Sequence, residues 1–326
     1  MFQPQGVYVA MLTPFGEDGS INEEILRCMV DFQIERGVDG LFPVSSVGEI
    51  VHMTQEERVR LMEIVVDQSA GRVPVTPGVG TSHPAHSIFL AQRAKELGCS
   101  AVVIAPPHFY KISDEMVEKY YETIADAVDI PIILYNIPLF TQPLHYDVVK
   151  RLSRRPNIVG MKDSSGSMVD LIHFMDKVRL VGEQLTFLTG REDTFFPALM
   201  LGAKGCMTAM SGILPEVMVG IYRAWKAGDY DKARELQFSV LLLVRACFSL
   251  PFPLGFKIAL EVRGFPMGPP KQPLSEAERF KYRTMRSRIQ KVMGPMLERI
   301  EGRKEVAARA GSRPEPMHPM SDSAKA

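Results

Sequence analysis

The chain of 326 residues is 46% hydrophobic and 23% charged, and its 38 Lys and Arg residues balance 38 Asp and Glu residues. This composition excludes collagen-like and globally disordered chains, and a neutral chain without a basic block argues against a nucleic-acid-binding surface. The four cysteines are scattered and form no C-x-x-C pair, so a disulfide framework is not expected. A protein without disulfides suits a reducing compartment. The N-terminus lacks the basic region of a secretory signal, and the most apolar stretch, residues 238–256, is interrupted by an arginine and two prolines. We therefore expect a cytoplasmic protein that does not span a membrane.

Short apolar runs alternate with longer amphipathic segments along most of the chain. Eight of the short runs are rich in valine and isoleucine and do not alternate with polar residues, a pattern typical of strands that are buried on both faces of a parallel sheet. These predicted strands are residues 7–12, 40–45, 73–80, 101–107, 130–137, 158–163, 185–190 and 205–210.

Helical patterns lie between these runs. Thr54 begins a capping box with Glu57, and Ser113 precedes two acidic residues that suit the first turn of a helix. Further amphipathic segments cover residues 21–36, 84–97, 146–154 and 168–181. A strand–helix unit repeated eight times at roughly 30-residue spacing predicts an α/β protein with a closed (β/α)8 TIM barrel. A doubly wound open sheet is the alternative, but such sheets usually have fewer strands and the dinucleotide-binding fingerprint is absent.

The pattern also predicts how the chain is divided. Residues 1–213 are expected to form the barrel. Residues 214–300 are expected to form C-terminal helices that pack on the barrel, with a turn at Gly228 and Asp229. Residues 301–326 are polar and lack apolar periodicity, so we expect a disordered tail.

Lys162 is the most informative candidate for catalysis. It follows an apolar run in the sixth predicted strand and lies where that strand ends, at the end of a barrel where active sites form. Lysine is rarely buried without a purpose, and burial favours a neutral amine that can attack a carbonyl. The alternative is a structural salt bridge to a carboxylate inside the barrel, and position alone supports the two interpretations about equally.

Two hydroxyl-bearing residues follow other predicted strands. Tyr135 occupies the matching place on the fifth predicted strand, and its phenol is suited to moving a proton to or from a Schiff base. A buried tyrosine with a satisfied hydroxyl is the alternative. Ser46 lies in a Ser-Ser-Val-Gly-Glu turn whose hydroxyls and amides suit a carboxylate, although serine and glycine are ordinary turn residues.

Metal and dinucleotide sites are not predicted. His83 and His86 are three residues apart at a helix start, but no third ligand is near them in the sequence. The G-x-G sequence at Gly78 and Gly80 does not continue into G-x-G-x-x-G. We therefore expect no metal and no nucleotide cofactor.

Four short motifs in register give the chain a family resemblance. In their order, spacing and strand placement, the chain resembles the dihydrodipicolinate synthase / N-acetylneuraminate lyase family of Schiff-base aldolases over roughly residues 5–295. The resemblance implies a (β/α)8 barrel with a C-terminal helical extension, assembled as a homotetramer. The motifs are Thr13-Pro14-Phe15, Ser46-Val47-Gly48-Glu49, Tyr135-Asn136-Ile137-Pro138 and Gly160-Met161-Lys162-Asp163.

The resemblance also implies roles for single residues. Lys162 would form an imine with pyruvate or another 2-oxo acid, Tyr135 would shuttle protons, and Ser46 would relay them. The amides of Ser46 and Val47 would hold the carboxylate of pyruvate. Met207, in the eighth predicted strand, and Gly190, at the end of the seventh, would bind substrate at the same end of the site. No cofactor is implied, because the imine itself polarises the substrate.

Three positions depart from the synthases of this family. Two residues after the proline of Y-N-x-P, where the synthases carry a substrate-binding arginine, this chain has Phe140, which removes bidentate recognition of a carboxylate. Phe109 aligns with a tyrosine that the synthases borrow from a neighbouring subunit, and Val47 replaces a hydroxyl residue of their turn. We therefore expect an intact pyruvate half and a rebuilt, less anionic second-substrate pocket, with Phe140 and Phe109 among its residues.

The first functional hypothesis is a pyruvate-dependent class I aldolase that cleaves or forms a 4-hydroxy-2-oxo acid. Its partners would be a 2-oxo acid such as pyruvate and an aldehyde. A second hypothesis keeps the imine but gives a synthase-type condensation or the dehydration of a sugar acid. A third, of another class, is a non-catalytic 2-oxo acid binding protein, against which the intact Lys162, Tyr135 and Ser46 argue.

Overall fold

The computed structural model describes residues 2–183 and 185–311. Its centre is a sheet of seven parallel strands in the order β2-β1-β7-β6-β5-β4-β3. Every residue of β1, β4 and β5 is buried, as the continuous apolar runs predict. The strands are β1 (Gly6–Ala10), β2 (Gly40–Phe42), β3 (Val102–Ile104), β4 (Ile132–Asn136), β5 (Ile158–Asp163), β6 (Thr186–Thr189) and β7 (Gly205–Thr208).

The segment between β2 and β3 closes the ring without forming a regular strand. Two isolated parallel bridges connect it to both edges of the sheet, Leu41 with Val75 and Gly78 with Val103. The strand predicted at residues 73–80 is therefore in place but lacks a continuous ladder. The two prolines of this segment explain the interruption, because proline has no N–H group to donate. The closed ring and its helices form a (β/α)8 barrel.

Helices follow the strands and pack beside one another around the ring. The capping box predicted at Thr54 is present, since its hydroxyl accepts from the Glu57 amide and the Glu57 carboxylate accepts from the Thr54 amide. Ser113 caps its helix in the predicted way. These helices are α1 (Glu23–Glu35), α2 (Gln55–Ser69), α3 (Pro84–Glu96), α4 (Asp114–Ala127), α5 (Tyr146–Leu152), α6 (Met168–Arg179), α7 (Phe195–Leu201) and α8 (Met210–Ile213).

Four further helices form the C-terminal extension: α9 (Pro215–Lys226), α10 (Tyr230–Cys247), α11 (Leu254–Arg263) and α12 (Glu276–Gly311). The boundary predicted at residue 300 is too early, because α12 continues to Gly311. Adding residues to an existing helix costs less free energy than starting a new one, so residues without an apolar face still extend α12. Residues 312–326 of the predicted tail lie outside the described residues. None of the helices in the described ranges is long and apolar enough to cross a bilayer.

A buried ion pair joins α11 to the barrel mouth. The Nζ of Lys257 lies 3.0 Å from Oε1 of Glu49, and the two side chains are only 1% and 3% exposed. Lys257 also donates to the carbonyl of Pro269 at 3.0 Å, and the amide of Lys271 donates to the second Glu49 oxygen at 2.8 Å. Burial lowers the pKa of Lys257, and the neighbouring Glu49 carboxylate opposes that shift. The Glu49 carboxylate therefore binds both Lys257 and Lys271, and it holds their two segments of the C-terminal extension against the turn that ends at Glu49.

Removing the Glu49 charge should destabilise the protein strongly. We expect Glu49→Gln to lower the free energy of unfolding by about 3–5 kcal/mol, because it leaves the Lys257 ammonium buried without a counter-charge. The double variant Glu49→Gln/Lys257→Met should recover most of this loss, because it removes both desolvated charges. Denaturant unfolding measures the free energies of unfolding of the wild type and of the two variants.

The matched control is the exposed pair between Arg179 and Asp176, at 2.7 Å. Arg179→Gln should change the free energy of unfolding by about 0–1 kcal/mol. A Glu49→Gln variant that is as stable as this control would show that the buried pair does not hold the extension.

Candidate active site

Lys162 lies at the carboxyl end of β5 and is 2% exposed. Its Nζ lies 4.2 Å from the ring centroid of Tyr135 and 4.6 Å from that of Phe42. Among the described residues, no carboxylate oxygen lies within 4.0 Å of this Nζ. The structural salt bridge considered as the alternative is therefore not formed within the described part of the chain. An amine held between aromatic faces and not engaged by a carboxylate is placed to act as a nucleophile.

Strand register brings the second hydroxyl-bearing residue to the lysine. Tyr135 on β4 is the direct partner of Lys162 on β5, and residues at matching register on neighbouring strands point to the same face of a sheet. The hydroxyl of Tyr135 lies 3.3 Å from the Oγ of Ser46. The ring of Phe42 meets the Tyr135 ring edge-on, at 6.2 Å between centroids. The structure thus brings Lys162, Tyr135 and Ser46 together.

The turn that carries Ser46 is anchored to the end of β1. It is a short 3-10 turn over Ser46–Gly48, capped by Ser45, whose hydroxyl donates to the carbonyl of Met11 at 2.8 Å. The hydroxyl of Thr13 donates to the carbonyl of Gly48 at 3.0 Å. The first amides of such a turn have no acceptor within it. The turn therefore presents backbone donors in a fixed position, and Val47 is buried within it.

The residues that follow Tyr135 and Lys162, Asn136 and Asp163, have a structural role in the two motifs. The side-chain amide of Asn136, next to Tyr135, donates to the carboxylate of Asp163 at 2.7 Å and accepts from the amide of Leu144 at 3.0 Å. The hydroxyl of Ser165 donates to the same carboxylate at 2.8 Å. Burial raises the pKa of Asp163, and these hydrogen bonds oppose that shift. Because side chains alternate along a strand, these residues fix β4 to β5 behind the catalytic candidates.

Gly190 leaves the space that Lys162 occupies. A Cβ atom at this position would lie 2.6 Å from the Cε of Lys162 and even closer to the Oγ of Ser164. Its amide donates to the carbonyl of Asp163 at 2.6 Å, which fixes the backbone in place. The absence of a side chain at Gly190 therefore sets the position of the lysine.

Lys162 faces a small cavity of about 50 Å³. Ser46, Val47, Met207 and Gly190 contribute to its lining, so these predicted substrate-binding residues surround one space. The buried Met207 lies on β7, which is separated from β2 and its turn only by β1.

A larger cavity of about 340 Å³ adjoins the first. Five residues line both cavities: Ser46, Tyr135, Ile137, Phe140 and Phe252. These shared residues, Tyr135 among them, place the two cavities side by side. The two cavities together form one candidate site for a two-part substrate.

The two predicted second-substrate residues have different positions. Phe140 lines both cavities and packs on Phe252, with 5.0 Å between ring centroids. Phe109 lies outside both cavities of its own chain, and its expected place in a second-substrate pocket stays a prediction. This side chain is 90% exposed, lines neither cavity and has a φ of +84°. The left-handed backbone turns Phe109 outward, where its ring contacts only the neighbouring Tyr110 among the described aromatic residues.

Sequence reasoning missed the C-terminal contribution to the site. Phe248, Phe252 and Phe256 reach the Lys162 cavity from the segment around the start of α11. Two prolines in this segment obscured the start of α11 in the sequence. The four-residue spacing of Phe248, Phe252 and Phe256 was nevertheless a usable signal. Arg58 on α2, which lines the larger cavity, carried no local motif that marked it.

Comparison with known proteins identifies the family. The profile of the dihydrodipicolinate synthetase family matches residues 3–292. The chain belongs to the dihydrodipicolinate synthetase family. The resemblance carried by the four motifs is thereby confirmed.

The dihydrodipicolinate synthetase family includes relatives that match more than four fifths of this chain. A 4-hydroxy-tetrahydrodipicolinate synthase of Methanopyrus kandleri is 35% identical over 89% of this chain and 97% of that protein. A DapA-like lyase of Thermofilum pendens is 34% identical over 81% of this chain and 89% of that protein. The crystal structure of YagE from E. coli K12, a family member in complex with pyruvate, superposes with a TM-score of 0.82 at 31% identity, over 89% of this chain and 98% of that one. As a member of this family, the chain is a lyase of the class I aldolase type.

Filling the space at Gly190 should impair the lysine without unfolding the barrel. We expect Gly190→Ala to lower kcat/KM about 100-fold, the effect of displacing a reacting group by about 1 Å. The rate at which borohydride traps a 2-oxo acid on the protein measures the displacement directly. Gly294→Ala is the matched control, because no atom lies within 4 Å of the Cβ it would add. Equal trapping rates in the two variants would contradict the steric role of Gly190.

Proposed function

We propose that this protein is a pyruvate-dependent class I aldolase that cleaves or forms a 4-hydroxy-2-oxo acid through a Schiff base on Lys162. The observation that carries the proposal is the buried Lys162 amine, 4.2 Å from the ring centroid of Tyr135, whose hydroxyl lies 3.3 Å from that of Ser46. Membership of a family of lyases supports the same chemistry.

The first step joins the substrate to the enzyme. The Nζ of Lys162 attacks the C2 carbonyl carbon of the 4-hydroxy-2-oxo acid, and the carbonyl oxygen takes up a proton. Loss of this oxygen as water then gives a protonated imine. The hydroxyl of Tyr135, whose ring centroid lies 4.2 Å from Nζ, supplies and accepts the protons that these steps require. The imine acts as an electron sink in the next step, so this scheme needs no metal.

The second step breaks the carbon chain. The C4 hydroxyl loses its proton to Tyr135, with Ser46 as the relay, and the C3–C4 bond breaks. C4 leaves as an aldehyde, and the bonding electrons move through C3 to the imine nitrogen to give an enamine. Protonation of C3 and addition of water then release pyruvate and restore the Lys162 amine. The reverse sequence is the condensation.

The two ends of the site suit the two halves of this substrate. We assign the amides of Ser46 and Val47 to the pyruvate carboxylate, with Met207 and Gly190 lining the same small cavity. The larger cavity is left for the aldehyde half. Its Phe140 wall is apolar where the related synthases are expected to carry an arginine, which supports a second substrate different from theirs.

Two other outcomes of the same imine remain candidates. A relative named as a synthase favours condensation, and loss of water from a sugar acid would make the protein a dehydratase. Product analysis separates them, because only aldol cleavage releases free pyruvate together with an aldehyde. A non-catalytic 2-oxo acid binding protein is the candidate of another class, and tight binding without an imine or turnover would identify it.

A homotetramer and a cytoplasmic location complete the proposal. The resemblance supports both, and exposed apolar side chains on α6, Val169 and Ile172, provide a surface that another subunit could cover. Light scattering in solution tests the assembly.

Trapping of the imine tests the mechanism. With pyruvate and borohydride we expect a covalent pyruvate-sized adduct that peptide mapping places on Lys162, because reduction makes the imine permanent. Lys162→Ala should abolish both the adduct and turnover. Lys119→Ala is the control, since that side chain is exposed on α4. Full activity in Lys162→Ala would refute covalent catalysis.

Loss of the Tyr135 hydroxyl should slow proton transfer while leaving the nucleophile in place. We expect Tyr135→Phe to lower kcat about 10²–10⁴-fold, the usual contribution of a positioned acid or base. The variant should still accumulate the reduced adduct on long incubation. Tyr230→Phe, which removes a hydroxyl from α10, is the control. A Tyr135→Phe variant with wild-type kcat would assign the tyrosine a structural role.

A further inference from the structure

Arg58 brings a positive charge to the larger cavity. This arginine lies on α2 and lines the cavity that also contains Tyr135. Its Nη2 donates to the backbone carbonyl of Ile50 at 2.9 Å, and its buried Nε makes no hydrogen bond. Within residues 2–183 and 185–311, no carboxylate oxygen lies within 4.0 Å of the guanidinium.

Two acidic residues near Arg58 are already engaged elsewhere. Glu49, which lines the same cavity, is paired with Lys257 at 3.0 Å. Glu57, next to Arg58 in the sequence, is paired with Lys271. Burial lowers the pKa of Arg58, because its charge has lost part of its hydration. The protein itself therefore provides little compensation for this cation.

A second arginine in the site provides the contrast. Arg191 lines the Lys162 cavity, but its Nε and Nη2 donate to the two carboxylate oxygens of Asp193 at 3.1 Å and 2.9 Å. Its guanidinium also stacks over the Phe248 ring at 4.7 Å. The charge of Arg191 is thus paired with a carboxylate, whereas Arg58 retains donors and charge for a ligand.

We propose that Arg58 determines specificity by binding an oxyanion, a carboxylate or a phosphate, at the end of the aldehyde substrate remote from its carbonyl. This inference rests on the proposed aldolase function and names the substrate class that the larger cavity accepts. Guanidinium groups bind both oxyanions through charge-assisted hydrogen bonds. The charge that Phe140 lacks would then be supplied from a different wall.

The lining between the two ends fits such a molecule. Val44, Val103 and Ile137 give the cavity an apolar wall. Its polar lining residues are Tyr135, Arg58, Ser46, Glu49, His52, His108 and Thr141. A short carbon chain therefore has apolar contacts along its length, with its carbonyl carbon near the tyrosine and its anionic group near the arginine.

The test compares aldehydes that differ only in the anionic group. Condensation with pyruvate is measured for succinic semialdehyde against butanal, and for glyceraldehyde 3-phosphate against glyceraldehyde. We expect the wild type to show a higher kcat/KM for the anionic member of at least one pair, and the pair that responds distinguishes carboxylate from phosphate. Arg58→Gln should lower the anionic-to-neutral ratio of that pair about 10- to 100-fold, the range of a charge-assisted hydrogen bond.

Two variants make the result specific. Arg58→Lys keeps the charge without the planar fork, so it should restore part of the ratio. Arg60→Gln is the matched control on the same helix, since Arg60 is half-exposed and paired with Glu23 and Glu63, and it should leave the ratio unchanged.

Each outcome decides between the two proposals. A wild type that traps pyruvate on Lys162 but shows no preference for either anionic aldehyde overturns the role of Arg58 and leaves the aldolase intact. An Arg58→Gln variant with the wild-type ratio overturns it as well. A wild type that traps no pyruvate overturns the aldolase and this inference together.

Discussion

The buried ion pair between Glu49 and Lys257 is the interaction on which the rest of the site depends. Glu49 ends the turn that holds Ser46, and Lys257 belongs to α11. This helix supplies Phe256 to the Lys162 cavity, and the segment before it supplies Phe252. Desolvation of two charges is costly, so the pair persists only because both ends are satisfied by further hydrogen bonds. Its benefit is positional, because it fixes the C-terminal aromatic wall relative to the catalytic turn.

The catalytic candidates themselves are positioned by the register of parallel strands. Tyr135 and Lys162 are direct partners on β4 and β5, and the residues that follow them are locked to each other by the Asn136–Asp163 hydrogen bond. In these two motifs, the residues on one face of the sheet are therefore the catalytic candidates, and the residues on the opposite face hold the two strands together. A slip of the register by one residue would turn every one of these side chains to the opposite face.

The parts of this structure that were predictable from sequence are those that local patterns encode. Continuous apolar runs mark buried strands and place Lys162 at a strand end, and the capping box at Thr54 marks a helix start. Contacts between distant segments are not encoded locally. Arg58 and Phe252 enter the site from α2 and from the loop before α11, and only the closed fold shows that they share a cavity. Phe109 lies outside the cavities of its own chain, because one backbone angle turns its side chain outward.

The irregular part of the ring near Gly78 and Gly80 has a consequence for how substrate range can change. Both glycines line the larger cavity, so its wall there is bare backbone. A side chain at Gly78 would collide with the carbonyl of Val44, and one at Gly80 would place its Cβ 2.8 Å from the amide of Ala105. A side chain cannot be added to this wall by mutation unless the main chain moves. A change of specificity in this cavity is therefore expected from exchange of lining side chains such as Phe140, Phe252 and Arg58, and not at these two glycines.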